Sequence, residues 1–192
     1  MLEPGVDKRR QVSISKHLSF VLRHAPGSIG ITLDRAGWAR VDELLEALAR
    51  NGRPLERAEL EALVRASDKQ RFAFSADGAK IRANQGHSID VELGYTPVPP
   101  PEVLYHGTTL RFLPGILERG LERGKRHHVH LSATPELAKL VGGRRGAPVV
   151  LEVAAARMAE AGHVFYRSEN GVWLTSHVPR EYLSQSRGGR PR

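Results

Sequence analysis

The chain of 192 residues contains no cysteine. Disulfides, a thiolate nucleophile and cysteine-ligated zinc are therefore excluded together. No apolar run approaches the roughly 20 residues that a membrane helix needs. The opening MLEPGVDKRR lacks the apolar stretch of a secretory leader, so no membrane partner and a cytoplasmic location are expected. Two other things are missing: a carboxylate pair suited to general acid–base work, and any Ser-His-Asp arrangement. No internal repeat is present. What the chain does have is an ordinary globular balance, 40% hydrophobic and 26% charged, with 29 Lys and Arg against 21 Asp and Glu. The net charge of +8 and a pI near 10.3 point to a polyanionic partner.

Tyr95-Thr-Pro-Val-Pro-Pro-Pro101 is too rich in proline to join a helix interior or a central strand. Such segments act as semi-rigid spacers, and two small domains are expected, 1–97 and 98–192. The first carries 15 basic and 13 acidic side chains and the second 14 and 8, so most of the excess lies in the second. Three of its charges belong to the tail Arg187-Gly-Gly-Arg-Pro-Arg192, expected to be frayed.

In the first half Ile14, Leu18, Val21 and Leu22 form one apolar helical stripe ended by Pro26-Gly27. Val41, Leu44, Leu45 and Leu48 form a second, closed by Asn51-Gly52, and Leu60, Leu63 and Val64 belong to a third helix beginning near Pro54. Arg71-Phe-Ala-Phe-Ser75 and Ala79-Lys-Ile-Arg-Ala83 alternate about an Asp77-Gly78 turn. Three helices followed by a hairpin is the element order of a winged helix. The second half reads as α+β. Strands are expected at Val103–His106, Val129–Ser132, Val149–Val153, His163–Tyr166 and Val172–Thr175. Thr109 is expected to cap a helix ended by Gly120, and Thr134-Pro135 to open another through Leu140.

Several polar groups stand out against this frame. Arg23 and His24 end the first helix, with Lys16 on the same side. Either they form a solvated face that suits a helix C-terminus, or they build an anion site. Arg71, Lys80 and Arg82 are out of phase with Phe72, Phe74 and Ile81, so the hairpin should carry a basic row. That row is either edge protection or a phosphate contact. Gln85-Gly-His-Ser88 follows directly. His106-Gly-Thr-Thr109 lies between an expected strand and an expected helix, where glycine, hydroxyls and a helix start suit a phosphorylated ligand; a simple N-cap explains it equally. Arg126-His-His-Val-His130 is the densest cluster. With no nearby carboxylate and an adjacent arginine it is a poor cation site, so no metal is expected. Its histidines and Ser132 suit an anion or a ribose.

Taken in order, Leu22-Arg-His-x-Pro26, Lys69-x-Arg-Phe72, Ile81-Arg-Ala-Asn-Gln-Gly-His-Ser88, Tyr105-His-Gly-Thr108, Arg126-x-His-Val-His-Leu-Ser132 and Ser168-x-Asn-Gly-Val172 closely resemble the RNA 2'-phosphotransferases of the KptA family. The resemblance runs from about Ile14 to Leu183. It implies a winged-helix RNA-binding lobe followed by an ADP-ribosyltransferase-like lobe. It also implies that NAD+ is consumed as co-substrate and that the partner is an RNA bearing a 2'-phosphate. The family's Arg-His-Arg-Arg set falls on Arg23, His24, Arg71 and Arg126. His106, Gly107, Thr108 and Ser132 would bind NAD+, with His130 and Asn170 as further candidates. Lys16, Lys69, Arg82 and His87 are candidates for RNA contacts.

The implied chemistry has two steps. An RNA 2'-phosphate displaces nicotinamide to give an ADP-ribosylated intermediate, which then yields RNA with a 2'-hydroxyl and ADP-ribose 1″,2″-cyclic phosphate. Many protein-modifying relatives of that fold carry a glutamate on a late strand. Val172–Thr175 has none, and Glu169 lies in the preceding turn, as suits an acceptor that is already anionic. Two alternatives are an ADP-ribosyltransferase that caps terminal phosphates of RNA or DNA, and a non-catalytic winged-helix nucleic-acid binder. A monomer is expected.

Overall fold

Leu18, Val21 and Leu22 are completely buried, and they are the reason the first helix docks rather than floats. Each contributes about 1.5–3 kcal/mol of apolar burial. In the computed structural model, which describes residues 4–67 and 70–185, this helix, α1, runs Pro4–His24 and so begins well before its apolar stripe. The tail arginines Arg187, Arg190 and Arg192, and Lys69, lie outside the described residues. The chain divides into two compact units between Gly94 and Tyr95.

In the first unit, β1 (Ala39–Arg40) leads into α2 (Val41–Arg50), and α3 follows at Arg57–Arg65. The hairpin is β2 (Phe72–Phe74) and β3 (Lys80–Ala83). The third helix starts later than Pro54 suggests. Glu56 caps it, bonding the backbone of Glu59 while the Glu59 carboxylate bonds the Glu56 amide. The antiparallel sheet has the order β1–β3–β2, with Ala39 opposite Ile81 and Phe74 opposite Ile81 on the other side. Strand β1 was not foreseen, because two residues are too short for an alternation to register. The core gathers Leu18, Leu22, Leu44, Leu48, Leu60 and Ile81.

The second unit contains β4 (Leu104–Thr109), α4 (Leu113–Arg119), β5 (Leu121–Glu122), β6 (Val129–Leu131), α5 (Pro135–Gly142), β7 (Pro148–Val153) and α6 (Ala155–Glu160). It closes with β8 (Phe165–Arg167), β9 (Trp173–Thr175), β10 (His177–Val178) and β11 (Leu183–Gln185). Every described strand pair is antiparallel, in the orders β11–β7–β4, β6–β9–β8 and β10–β5. The two larger sheets are stitched by a bridge between Tyr105 and Ser132, whose amides donate to each other's carbonyls at 2.9 and 2.7 Å. Helices and antiparallel strands in both units make the fold α+β.

Two local expectations change. The segment His106–Thr109 is not a loop before a helix; it is the last four of the six residues of β4. Thr109 makes no side-chain cap, and a 3-10 turn at Leu110–Phe112 precedes α4. Thr134 does cap its helix, its hydroxyl accepting the Leu137 amide at 3.3 Å with Pro135 in the first turn.

Candidate functional site

In the first unit, α1 delivers Arg23 and His24 in its last turn, Arg23 half-buried and His24 exposed. The last carbonyls of a helix lack partners within it. Here the Ser88 amide donates to the Arg23 carbonyl at 3.0 Å, and the Ser88 hydroxyl lies 2.9 Å from His24 Nδ1. Four residues earlier, the Asn84 amide donates to the Arg71 carbonyl at 3.0 Å, and the Asn84 side-chain amide donates to the Gln70 carbonyl at 2.7 Å. The segment 84–88 therefore ties the backbone of Arg71 to the backbone of Arg23 and the side chain of His24. Neither Asn84 nor Ser88 was singled out from sequence; only their place in the Asn-Gln-Gly-His-Ser run marked them.

Along the hairpin Phe72 and Ile81 are buried, Lys80 is exposed, and Arg71 and Arg82 are half-buried. Gln70 adopts φ of +37°, so the chain kinks just before Arg71, whose carbonyl takes the Asn84 amide next along the β2–β3 ladder. Arg71 lines a groove with Gln11, Val12 and Ser15 of α1 and Leu63 of α3. Lys80 Nζ pairs with Asp34 Oδ2 at 2.9 Å, and the Arg82 guanidinium stacks over Trp38, 4.5 Å from the ring centre. Lys16 is exposed on α1. His87 is 1% exposed, with its ring beside Gly37. An RNA contact by His87 is thus closed off; the imidazole fills the interior beneath its own loop.

In the second unit, β4 carries His106, Gly107 and Thr108. His106 Nδ1 donates to the His130 carbonyl at 3.1 Å. His130 Nδ1 in turn donates to the His128 carbonyl at 3.0 Å. A carbonyl can only accept, so each neutral ring is left with an Nε2 lone pair, an acceptor for a hydroxyl or amide donor. Burial pushes the His106 imidazole below the ordinary histidine range; the His130 carbonyl opposes this, and the positive charge of Arg126 adds to it. Arg126 is exposed in the bend before β6 rather than on that strand. The charge of Arg126 nonetheless reaches His106.

Gly107 has a different neighbour from the one its sequence context suggested. A Cβ there would sit 1.8 Å from the Ala138 carbonyl oxygen and 2.9 Å from the Gly142 amide, so α5 packs directly onto the strand backbone. Thr108 is buried. Ser132 has both backbone groups committed to Tyr105. Asn170 lies in the β8–β9 turn, where the buried Ser168 hydroxyl donates to Asn170 Oδ1 at 2.7 Å and accepts the Val172 amide at 3.1 Å. His128, Tyr95 and Tyr166 form a cluster of three rings with centres 5.4–6.2 Å apart. The tyrosines are remote from His128 in sequence, and no local pattern announced them. Among the described residues, no group of His, Asp or Glu could hold a metal ion, and no helix is long and apolar enough to cross a membrane.

The chain is similar to "Probable RNA 2'-phosphotransferase" of Pseudomonas paraeruginosa, 54% identical over 182 residues that cover 94% of this chain and 100% of that protein. Proteins with the same name from Nostoc punctiforme and Agrobacterium fabrum are 53% identical over 176 residues and 55% identical over 172. These matches cover 92% and 90% of this chain, and 97% and 92% of the relatives. The family model described as RNA 2'-phosphotransferase, Tpt1 / KptA family matches residues 9–177. With nearly its whole length matched at this identity, the chain belongs to the RNA 2'-phosphotransferase, Tpt1 / KptA family of transferases.

Proposed function

We propose that this enzyme removes a 2'-phosphate from RNA by transferring it to NAD+, with the first unit serving as a winged-helix RNA-binding lobe and the second as an ADP-ribosyltransferase-like lobe. The observation that carries the reading is the tie from Arg71 through Asn84 and Ser88 to Arg23 and His24. It gathers two guanidinium-bearing residues and an imidazole on one short piece of backbone. Guanidinium groups match phosphate oxygens in paired hydrogen bonds, and fixed cations stabilise charge as it redistributes over a phosphoryl group.

In the first step a 2'-phosphate oxygen of the RNA attacks C1″ of the nicotinamide ribose. The glycosidic C–N bond breaks, and its electron pair leaves with nicotinamide. In the second step the ribose 2″-hydroxyl attacks phosphorus and the bond from phosphorus to the RNA 2'-oxygen breaks. The proton lost by the hydroxyl ends on the RNA oxygen. Arg23 and Arg71 hold the phosphate, Arg126 balances charge in both steps, and His24 donates a hydrogen bond to the phosphate or moves the proton. The nucleophile comes from the substrate in each step, which suits a chain without cysteine or a catalytic carboxylate pair.

NAD+ supplies the electrophilic C1″ carbon. For its ribose hydroxyls the second unit offers the Nε2 acceptors of His106 and His130 and the hydroxyl of Ser132, with Thr108 and Asn170 on neighbouring segments. Gly107 serves this lobe by seating α5 on β4. Lys16, Lys69 and Arg82 are proposed to meet the RNA backbone, whose charge makes the affinity fall with salt. The test incubates the protein with NAD+ and an oligonucleotide carrying one internal 2'-phosphate. Formation of the 2'-hydroxyl product with equimolar nicotinamide supports the reading; an unchanged oligonucleotide overturns it.

A further inference from the structure

We propose that Ser88 is a positioning residue for His24, setting which imidazole nitrogen carries the proton; the catalytic part of this proposal rests on the function proposed above. Ser88 Oγ lies 2.9 Å from His24 Nδ1. Its amide is held by the Arg23 carbonyl, so the hydroxyl is carried on a backbone already fixed to the same helix turn.

The segment bearing Ser88 is pinned on both sides. Asn84, 5% exposed, anchors it to Gln70 and Arg71. Gly86 turns the chain with φ of +87°, a conformation side chains rarely adopt. His87 then sinks into the unit beside Gly37, and further on the Glu92 amide donates to the Arg35 carbonyl at 2.7 Å. With residue 87 buried and residue 88 exposed, the chain presents the Ser88 hydroxyl outward at the end of α1.

An exposed hydroxyl is not needed to satisfy a buried donor or acceptor. What it supplies is chemistry that a carbonyl lacks. His106 and His130 are each backed by a carbonyl, which forces the proton onto Nδ1 of the neutral ring. A hydroxyl can donate as well as accept. The contact at His24 Nδ1 allows either direction; here the hydroxyl proton is assigned to the Nδ1 lone pair, which puts the neutral ring's own proton on Nε2. His24 therefore keeps a donor at Nε2 in both its neutral and its charged form. A donor is what a phosphate oxygen requires.

The experiment records long-range proton–nitrogen NMR spectra of histidine-labelled full-length protein at a pH where His24 is neutral, with its signals assigned through His24→Gln. Wild type and Ser88→Thr should show His24 protonated at Nε2, and Ser88→Ala should show a mixture of tautomers. In the same samples Ser88→Ala should slow conversion of the ADP-ribosylated RNA intermediate about tenfold to a hundredfold relative to its formation. Ser88→Thr should restore it. Identical His24 spectra in wild type and Ser88→Ala overturn the positioning role. Altered spectra with unaltered conversion overturn its catalytic consequence. A wild type that leaves 2'-phosphorylated RNA untouched overturns the functional reading instead, while the spectra still decide the Ser88–His24 relationship.

Discussion

The Asn84 amide donates to the Arg71 carbonyl at 3.0 Å, while the Asn84 side chain holds the carbonyl of the preceding Gln70 at 2.7 Å. One buried residue thus sets both the kink at Gln70 and the point from which the Arg71 side chain departs. Asn84→Ala should lower stability by about 0.5–1.5 kcal/mol, because it removes the side-chain hydrogen bond to the Gln70 carbonyl. Conversion of 2'-phosphorylated RNA should fall by more than the unfolded fraction accounts for. Chemical denaturation and single-turnover kinetics on one preparation check both parts.

Arg71→Ala should accumulate the ADP-ribosylated RNA intermediate, since the guanidinium is assigned to grip the phosphate during the second step. Arg71→Lys should restore it poorly, because an ammonium is a point charge and cannot match two oxygens at once. Gel separation of intermediate from product over time reads this directly. Equal product yields from wild type and Arg71→Ala at limiting enzyme would remove Arg71 from the phosphate grip.

Gly107→Ala and Thr108→Ala should part company. The added methyl at Gly107 meets the Ala138 carbonyl at 1.8 Å, so α5 must shift off β4, at a cost of about 3 kcal/mol or more. Its signature is a lower denaturation midpoint. Thr108→Ala should fold and instead require more NAD+ to reach a given rate. If Gly107→Ala keeps wild-type stability, the close packing of α5 on β4 is wrong.

His106 should titrate below the ordinary histidine value of 6.5, because burial and the charge of Arg126 disfavour the imidazolium. The sign for stability follows. Above pH 6.5 the ring is neutral folded and unfolded, and contributes no pH dependence. As pH falls below 6.5 the unfolded chain takes up the proton first, so stability declines until the folded ring also protonates. Proton NMR of the imidazole signals, with His106→Asn to identify the one lost, gives the midpoint. His106→Asn should also lessen the loss of stability between pH 7 and 5.

Much of the fold is legible in the sequence. The stripe Ile14–Leu18–Val21–Leu22, the hairpin about Asp77-Gly78 and the Thr134-Pro135 cap each follow from local periodicity or local hydrogen-bonding chemistry. What escaped was set by partners distant along the chain. Strand β1 exists because β3 pairs with it, and two residues carry no period of their own. The kink at Gln70 is held by Asn84 fourteen residues on, a pairing that no local period announces. The polar character of His87 suggested a surface role, whereas packing against Gly37 put it inside. At the candidate site the residue types were visible in the sequence. The groups that hold them, Asn84, Ser88 and the His130 carbonyl, became apparent only from the backbone geometry.

The most direct test follows the phosphorus atom itself. An oligonucleotide labelled with 32P only at its internal 2'-phosphate is incubated with the protein, with and without NAD+. The label should leave the RNA only when NAD+ is present, pass through a species still attached to RNA, and end in a small ADP-ribose cyclic phosphate. Label released as inorganic phosphate, or released equally without NAD+, would contradict the account.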